Sequence, residues 1–467
     1  MRASPRIYLF FPAIVLKLVA SAVSAAGFVE HSGPLYLAGM ILWMLWFGLL
    51  LLIAWPRTDE LLLRFHKKLL LTARLLVVVV VLFGAFELSG TSTIGLANIG
   101  IDVFGPNSKE LLSALNHSFA YNDATALCHQ AANNVRLGLN PYAEANIVKA
   151  NLLFGNPFDK TTPRRVGRFV NDFPYPTVAE LQSVWEQAVK DPGHIPPEIE
   201  SRLAYPAGCF LLPLPLLVLG INDLRWAYLI ILLPALAFAL VRAQGNLRWW
   251  LLAGMLASLE IWNSIASGET GILFFAFLLM AWILVRRKLW LAALCLGFAI
   301  AAKQLAWFFA PYFLILVLRT EGFKKAALAG SIAIAVFAAF NLPFIFQDAQ
   351  LWLSSITAPM NNLLFPIGVG LVSLVTGGYW HLETQLVFGI LEVLTGIASV
   401  VWYYFNYSRA PHIGLVLAVV PLFFAWRSMW SYFYFFDLIL FAVIVLYEYK
   451  QDNGKTVLIR NRLTAGD

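Results

Sequence analysis

Long uncharged stretches of apolar residues constrain the fold of this chain more than any other feature. A bilayer-spanning helix needs about 20 predominantly apolar residues, and such stretches recur along the sequence as far as residue 447. Charged residues make up 13% of the chain, whereas a soluble globular domain carries roughly 25%. Because lipid is the solvent that favours so much apolar surface, we predict an all-α polytopic membrane protein.

The apolar stretches predict roughly thirteen membrane spans by length and composition. They are 7–28, 34–55, 69–89, 205–220, 224–241, 249–264, 270–285, 289–302, 304–318, 325–345, 385–405, 411–426 and 429–447. Three prolines make 205–220 the segment expected to be irregular, and the weaker apolar run 364–376 is predicted to be re-entrant or interfacial. Lys17 interrupts the first run, which we interpret as an uncleaved helix and not as a signal peptide.

Lysine and arginine in the short loops predict the orientation of the chain. They concentrate in 56–74, 286–288, 319–325 and the C-terminal tail, and such loops normally face the cytoplasm. The net charge of +7 is explained in this way, so no nucleic-acid partner is predicted. The expected location is the plasma (inner) membrane, with membrane lipids as partners.

This orientation divides the chain into four parts. Residues 1–89 contain three transmembrane helices, 90–204 form an extracytoplasmic segment, 205–448 form a transmembrane bundle, and 449–467 form a cytoplasmic tail. The segment 90–204, called the long loop below, has about 115 residues and is too long for a simple connector. Apolar residues at helical spacing within it, such as Val178, Leu181 and Val184, predict short helices that rest on the membrane.

Cysteine and histidine usage predicts neither a metal site nor a cofactor. Cys128 and Cys209 could form a disulfide on the outer side, but the sequence favours two unrelated thiols. Cys295 lies in an apolar run, and no zinc-ligand spacing is present. His129 has no metal-ligand partner at a useful spacing.

The predicted topology places several polar residues at the outer edge of the bundle. Ionisable groups at membrane depth are costly and tend to be functional. Their shared location on the side of the long loop predicts a single outward-facing site. The residues are Asp102, Asp123, Tyr205, Glu269, Lys303 and Arg427.

A sequence run in the long loop resembles a known family. Residues 123–142 read DATALCHQAANNVRLGLNPY. This run is similar to the first outer loop of membrane glycosyltransferases of the GT-C fold. More narrowly, it resembles that of the polyprenyl-phosphate-mannose-dependent mannosyltransferases, a GT87-like family. The family has an Asp, then a pair of small residues, then Gly-x-x-Pro-Tyr.

Four further elements follow in the family's order, so that the resemblance extends over about residues 120 to 440. Tyr205-Pro206 resembles the start of a Tyr-Pro-Pro element, in which Ala207 replaces the second Pro. The segment 267–273 resembles a Gly-Gln-x-Asn-x-Leu turn, with Glu269 for Gln and Gly271 for Asn. The other two elements are Gly297 to Lys303, similar to Gly-x-x-x-x-x-Lys, and Ser428 to Phe433, similar to Ser-x-x-x-Tyr-Phe.

The resemblance implies a GT-C-like bundle and an inverting glycosyltransferase. Such an enzyme would move a hexose, mannose by analogy, from a polyprenyl-phosphate-sugar donor to an extracytoplasmic glycan or glycolipid acceptor. Asp123 would be the general base, with Asp102 as runner-up, and Lys303 and Arg427 would hold the phosphate. The implied sugar pocket comprises Tyr205, Glu269, Tyr142 and Tyr432.

Structural interpretations of the same residues remain open at this point. Asp123 precedes an Ala-rich helical pattern and also fits a helix N-cap. Lys303 also fits an interfacial lysine, and Arg427 an ion pair with Asp437 or Glu392. Glu260, within an apolar run, is a candidate partner for a basic group.

Two other functional classes also fit a polytopic bundle. A secondary transporter or lipid flippase buries charges in a similar way, but its site usually lies at the midplane between internal repeats. No such repeat is apparent in this sequence. A polymerase or ligase of surface polysaccharide also has a large outer loop.

Overall fold

The computed structural model describes residues 4–80, 82 and 120–447, and this part of the chain is mainly α-helical. The predicted all-α membrane fold is therefore confirmed. Asp102 and the tail from residue 448 lie outside the described residues. Helical structure also covers residues 66–80.

The helices follow the apolar stretches. Apart from the helical residues 66–80, the α-helices are, in chain order, α1 (Phe10–Glu30), α2 (Gly33–Ala54), α3 (Thr58–Leu62), α4 (Asp123–Arg136), α5 (Ile147–Phe154), α6 (Val178–Lys190), α7 (Gly208–Leu211), α8 (Leu214–Val218), α9 (Leu224–Arg242), α10 (Leu247–Ala257), α11 (Leu259–Ala266), α12 (Gly271–Leu284), α13 (Leu289–Ala302), α14 (Ala310–Glu321), α15 (Phe323–Gln347), α16 (Ala349–Ile356), α17 (Ala358–Asn361), α18 (Ser373–Thr376), α19 (Leu386–Asn406), α20 (Gly414–Leu417), α21 (Val420–Phe423) and α22 (Phe436–Tyr447). Six helical segments of the described chain are long and apolar enough to cross a membrane. They are Pro5–Glu30, Gly33–Ala54, Leu224–Arg242, Phe323–Gln347, Leu386–Asn406 and Trp430–Tyr447.

Several predicted spans are not continuous helices. The segment 205–220 is irregular as expected, because Pro213 separates α7 from α8. The prediction of one helix over 249–264 is wrong, since the backbone turns at Ser258 between α10 and α11. The stretch 411–426 is likewise two short helices, and the segment 364–376 contains a two-residue strand and α18. In a bilayer, breaks of this kind are tolerated only where protein or a cavity covers the freed backbone groups.

The described part of the long loop contains the short helices that its periodicity predicts. Helices α4, α5 and α6 lie here, and Thr177 begins α6 with a capping box to Glu180. Two strands that were not predicted, β1 (Thr162–Pro163) and β2 (Ile199–Glu200), pair antiparallel. Their pairing brings Thr162 and Glu200 together across the loop.

Three buried charges tie together helices that are far apart in the sequence. The ammonium of Lys17 in α1 donates to Asp437 Oδ2 in α22 at 2.6 Å and to the Tyr434 carbonyl at 3.2 Å. Glu260 Oε2 in α11 lies 3.4 Å from the same ammonium, which confirms that Glu260 pairs with a basic group. Lys17 and Asp437 are fully buried. Removing one member of such a group leaves an uncompensated charge in the interior.

A disulfide joins the long loop to the transmembrane bundle. Cys128 of α4 is bonded to Cys209 of α7, with their Cα atoms 5.8 Å apart. The interpretation as two unrelated thiols is therefore wrong, because the fold closes a separation of 81 residues that the sequence leaves undefined. Disulfides persist mainly in oxidising compartments, which agrees with the predicted outer location of α4.

Replacing Lys17 by methionine is expected to lower the free energy of unfolding by about 3–5 kcal/mol, because Asp437 and Glu260 lose their counter-ion. The triple change Lys17→Met, Asp437→Leu, Glu260→Met should regain most of that loss. Denaturation in detergent measures both. Lys324→Met, at an exposed position, is the control, and equal effects of Lys17→Met and Lys324→Met would contradict the buried network.

Maleimide labelling of the denatured chain tests the disulfide. Without reductant we expect one label, on Cys295, because Cys128 and Cys209 are bonded. After reduction, mass spectrometry should find all three cysteines labelled. Three labels without reductant would show that the bond is absent.

Candidate active site

A cavity of about 2180 Å³ lies between the long loop and the transmembrane bundle. Pockets for drug-sized ligands have volumes of about 300–1,000 Å³, so this one has room for a long substrate or for two. Most of the site residues predicted from the sequence line it. They are Asp123, Tyr205, Glu269, Lys303, Arg427 and Tyr432.

Asp123 reaches the cavity from the first turn of α4. The N-cap of this helix is Asn122, whose side chain accepts a hydrogen bond from the Thr125 amide at 2.8 Å. Asp123 therefore does not serve as the cap. Its Oδ2 accepts from the Thr162 hydroxyl at 2.7 Å, and its Oδ1 from the Ala124 amide at 2.7 Å. These two hydrogen bonds fix the orientation of the Asp123 carboxylate. Because an ionised carboxylate has about four acceptor positions, Asp123 can still accept a hydrogen bond from a ligand.

Glu269 connects the long loop to the bundle. Its Oε2 accepts from the Asn122 amide group at 2.6 Å, and its Oε1 lies 2.9 Å from the Lys303 ammonium. Lys303 also donates to the Thr270 hydroxyl at 3.2 Å. Both charged side chains are largely buried, so their interaction is less screened by water than a surface pair. Lys303 is thus a partner of Glu269, and not an isolated interfacial lysine.

The turn that carries Glu269 depends on a glycine. Gly268 has φ +66°, a conformation that favours glycine. A Cβ at this position would lie 2.8 Å from the Tyr121 ring and 3.3 Å from the Thr125 methyl group. The Gly268 carbonyl also accepts a hydrogen bond from the Thr125 hydroxyl. This close approach holds Glu269 against the start of α4.

Two tyrosines predicted for the sugar pocket have different positions. Tyr205 lines the cavity, and the Lys303 ammonium lies 5.6 Å from the centre of its ring. Tyr142 does not line the cavity. Its hydroxyl donates a hydrogen bond to the Tyr205 backbone carbonyl at 3.0 Å.

Arg427 presents an unsatisfied cation to the cavity. It lies in the strand β4 (Arg427–Ser428), which pairs in parallel with β3 (Ile367–Gly368). Among the described residues, the buried Nη1 of Arg427 has no hydrogen-bond partner and no carboxylate lies within 4.0 Å of the guanidinium. The alternative ion pair with Asp437 is not formed, because Asp437 binds Lys17. A buried guanidinium with a free donor is suited to an anion.

Helix α19 provides an apolar wall below these polar groups. Its cavity-lining positions recur at helical spacing from residue 386 to residue 400, a length of about 21 Å at 1.5 Å per residue. Apart from Glu392 they are aliphatic residues or glycine: Leu386, Gly389, Ile390, Val393, Leu394, Gly396, Ile397 and Val400. Near the lower end, the Tyr312 hydroxyl bonds to Ser399 Oγ at 2.5 Å. The cavity thus combines a charged end with a long apolar section.

Three residues that line the cavity were not predicted as site residues from the sequence. Asn122 and Thr162 are uncharged residues of the long loop, and the sequence gives no signal that Thr162 contacts Asp123 across 39 positions. Glu392 had a signal, since a carboxylate within an apolar run favours a functional role. From the sequence, Glu392 is predicted only as an ion-pair partner of Arg427.

A metal site is not formed by the described residues, among which no group of three or more His, Cys, Asp or Glu side chains could hold an ion. His129 is buried, and its ring stacks on Phe154 with the centroids 4.4 Å apart. Burial lowers the pKa of His129 to about 4. It is therefore a neutral packing residue of α4.

Comparison with known families gives one match. Residues 203–426 match the family model of glycosyltransferase family 87, which confirms the resemblance to GT87-like membrane glycosyltransferases. The matched region contains Tyr205, Glu269 and Lys303, whereas Asp123 precedes it and Arg427 follows it directly. No curated protein and no solved structure matches the chain.

The stability of the protein is expected to fall by roughly 3 kcal/mol between pH 6.5 and pH 4 through His129 alone. Over this interval the unfolded state binds a proton that the folded state excludes, because the pKa of His129 is lowered to about 4 in the fold. His129→Phe keeps the stack on Phe154 and should remove this part of the acid sensitivity. Thermal unfolding against pH measures it, with the exposed His194→Phe as control. Equal pH profiles of wild type and His129→Phe would contradict the prediction.

Proposed function

We propose, from the premise that this chain is a GT87-like membrane glycosyltransferase, that it is an inverting hexosyltransferase with a polyprenyl-phosphate-linked donor. The sugar would be mannose, and the acceptor an extracytoplasmic glycan or glycolipid. The observation that carries the proposal is one continuous cavity, in which a fixed carboxylate and an unsatisfied guanidinium adjoin an apolar wall about 21 Å long. A lipid-linked sugar phosphate carries, in the corresponding order, a sugar for the carboxylate, a phosphate for the guanidinium and an apolar tail for the wall.

Asp123 is the proposed general base. The acceptor hydroxyl transfers its proton to the Asp123 carboxylate while its oxygen forms a bond to the anomeric carbon. The bond from that carbon to the phosphate oxygen breaks, and its electron pair leaves with the polyprenyl phosphate. Attack from the face opposite the leaving group inverts the anomeric configuration. The hydrogen bond from Thr162 holds Asp123 in one orientation through this step.

Arg427 and Lys303 are the proposed phosphate contacts. The buried Nη1 of Arg427 has no hydrogen-bond partner among the described residues, so a phosphate oxygen would satisfy this donor. Lys303 is held by Glu269 and contributes positive charge from a fixed position. Cations placed in advance where negative charge develops stabilise the transition state without further reorganisation.

Glu269 and the two tyrosines are the proposed sugar contacts. Glu269 is anchored by Asn122 and Lys303, and its remaining lone pairs can accept from sugar hydroxyls. Tyr205 and Tyr432 line the same cavity with aromatic faces and hydroxyl groups. Tyr142 acts indirectly, because its hydroxyl positions the backbone of Tyr205.

Sugar transfer from radiolabelled polyprenyl-phosphate-mannose, in membranes that contain the protein, tests the proposal. Asp123→Asn should lower the rate by about 10²–10⁴-fold, the usual contribution of a general base. Asp191→Asn, an exposed carboxylate of the long loop away from the cavity, should retain wild-type transfer at equal expression. Transfer at the wild-type rate by Asp123→Asn would refute the assignment of the base, and no transfer by any form would contradict the donor.

A further inference from the structure

Glu392 is the one ionisable side chain among the cavity-lining residues of α19. It lies six residues after Leu386, or about 9 Å further along the helix. The Leu386 end of α19 adjoins the long loop, since Arg165 forms an ion pair with Glu383 at 2.5 Å. Glu392 is therefore below the mouth of the cavity, in the part whose other residues from α19 are aliphatic or glycine.

Among the described residues, the Glu392 carboxyl has no ion pair or hydrogen bond partner. No Lys, Arg or His nitrogen lies within 4.0 Å of it among the described residues, and no described group donates to it. An ionised carboxylate is costly at membrane depth. A group that remains unpaired there, and that faces a cavity, is suited to a ligand and contributes nothing evident to packing.

The elements packed around α19 supply few other charges. The helix contacts α14, α20 and α21, of which α20 and α21 carry no titratable side chain. On α14, Arg319 stacks on Tyr404 and the Tyr312 hydroxyl bonds to Ser399, both further along α19. Glu321, at the end of α14, pairs with Lys325.

Glu392 shares its surroundings with the proposed phosphate contact. Arg427, Glu269, Glu392 and Asp123 all line the same cavity, together with Tyr432. Arg427 and Glu392 do not form an ion pair with each other, although neither has another ion-pair partner among the described residues. A ligand that contacts the Arg427 guanidinium accepts hydrogen bonds from it and is suited to be an anion. An ionised Glu392 would repel such an anion. The same ligand can therefore contact Glu392 only when the carboxyl is protonated and donates a hydrogen bond.

We propose that Glu392, in its protonated form, donates a hydrogen bond to the phosphate of the lipid-linked donor and makes donor binding depend on pH. This inference rests on the proposed function and adds a residue to the phosphate subsite. No proton is transferred to the donor in this step. On ionisation the carboxylate loses its proton donor and repels the phosphodiester, so donor affinity falls as the pH rises.

A phosphodiester without a sugar tests this subsite alone. The probe is a fluorescent geranylgeranyl methyl phosphate, whose single negative charge does not change between pH 6 and pH 9. Its binding to the purified full-length protein in detergent is measured across that range for wild type, Glu392→Gln and Glu392→Leu. Glu321→Gln, a carboxylate outside the cavity, is the control, and melting temperatures verify that each variant is folded.

Wild type and Glu321→Gln should lose about tenfold in affinity from pH 6 to pH 9, the order expected for one hydrogen bond to a charged group. Glu392→Gln, whose amide donates at every pH, should bind with constant affinity near the wild-type value at pH 6. Glu392→Leu should bind about tenfold more weakly than wild type at pH 6. A wild-type pH profile in Glu392→Gln, or unchanged binding by folded Glu392→Leu, would overturn the role of Glu392 and leave the proposed function standing. A probe that binds no form at all would contradict both.

Discussion

The geometry of the site depends on the two contacts that the Glu269 carboxylate makes with Asn122 and Lys303. The carboxylate accepts from Asn122 on one oxygen and from Lys303 on the other, and so joins the start of α4 to the end of α13. Asn122 is also the N-cap that leaves the neighbouring Asp123 free to face the cavity. The disulfide from Cys128 to Cys209 holds the same helix to the bundle from its middle. A loop carboxylate thereby gains a fixed position, as the proposed transfer reaction requires.

The buried charges of the bundle connect helices that lie next to the segments of the site in the chain. Lys17 binds Asp437, whose helix follows the segment of Tyr432, and it also contacts Glu260 in α11, which precedes Glu269 in the chain. The N-terminal helix is outside the region that matches the glycosyltransferase family model, yet it binds elements on both sides of the site. In lipid such a network specifies register, because few other polar contacts are available there.

The sequence predicted the helical membrane fold because apolar runs and span length are local properties. It could not predict the breaks at Ser258 and in 411–426, because apolar composition alone does not show where the backbone turns. Most of the predicted site residues line one cavity, since ionisable groups at membrane depth are few and informative. Thr162 and the disulfide were missed or misjudged, because they depend on pairings across 39 and 81 positions that no local pattern encodes.

The anomeric configuration of the product tests the central claim most directly. Asp123 as a base, with no covalent sugar intermediate, predicts a single displacement at the anomeric carbon. Nuclear magnetic resonance of the glycoside formed from a donor of known configuration should therefore show the opposite anomer. Retention of the donor's configuration would contradict the account, because a single displacement from the face opposite the leaving group inverts the anomeric carbon.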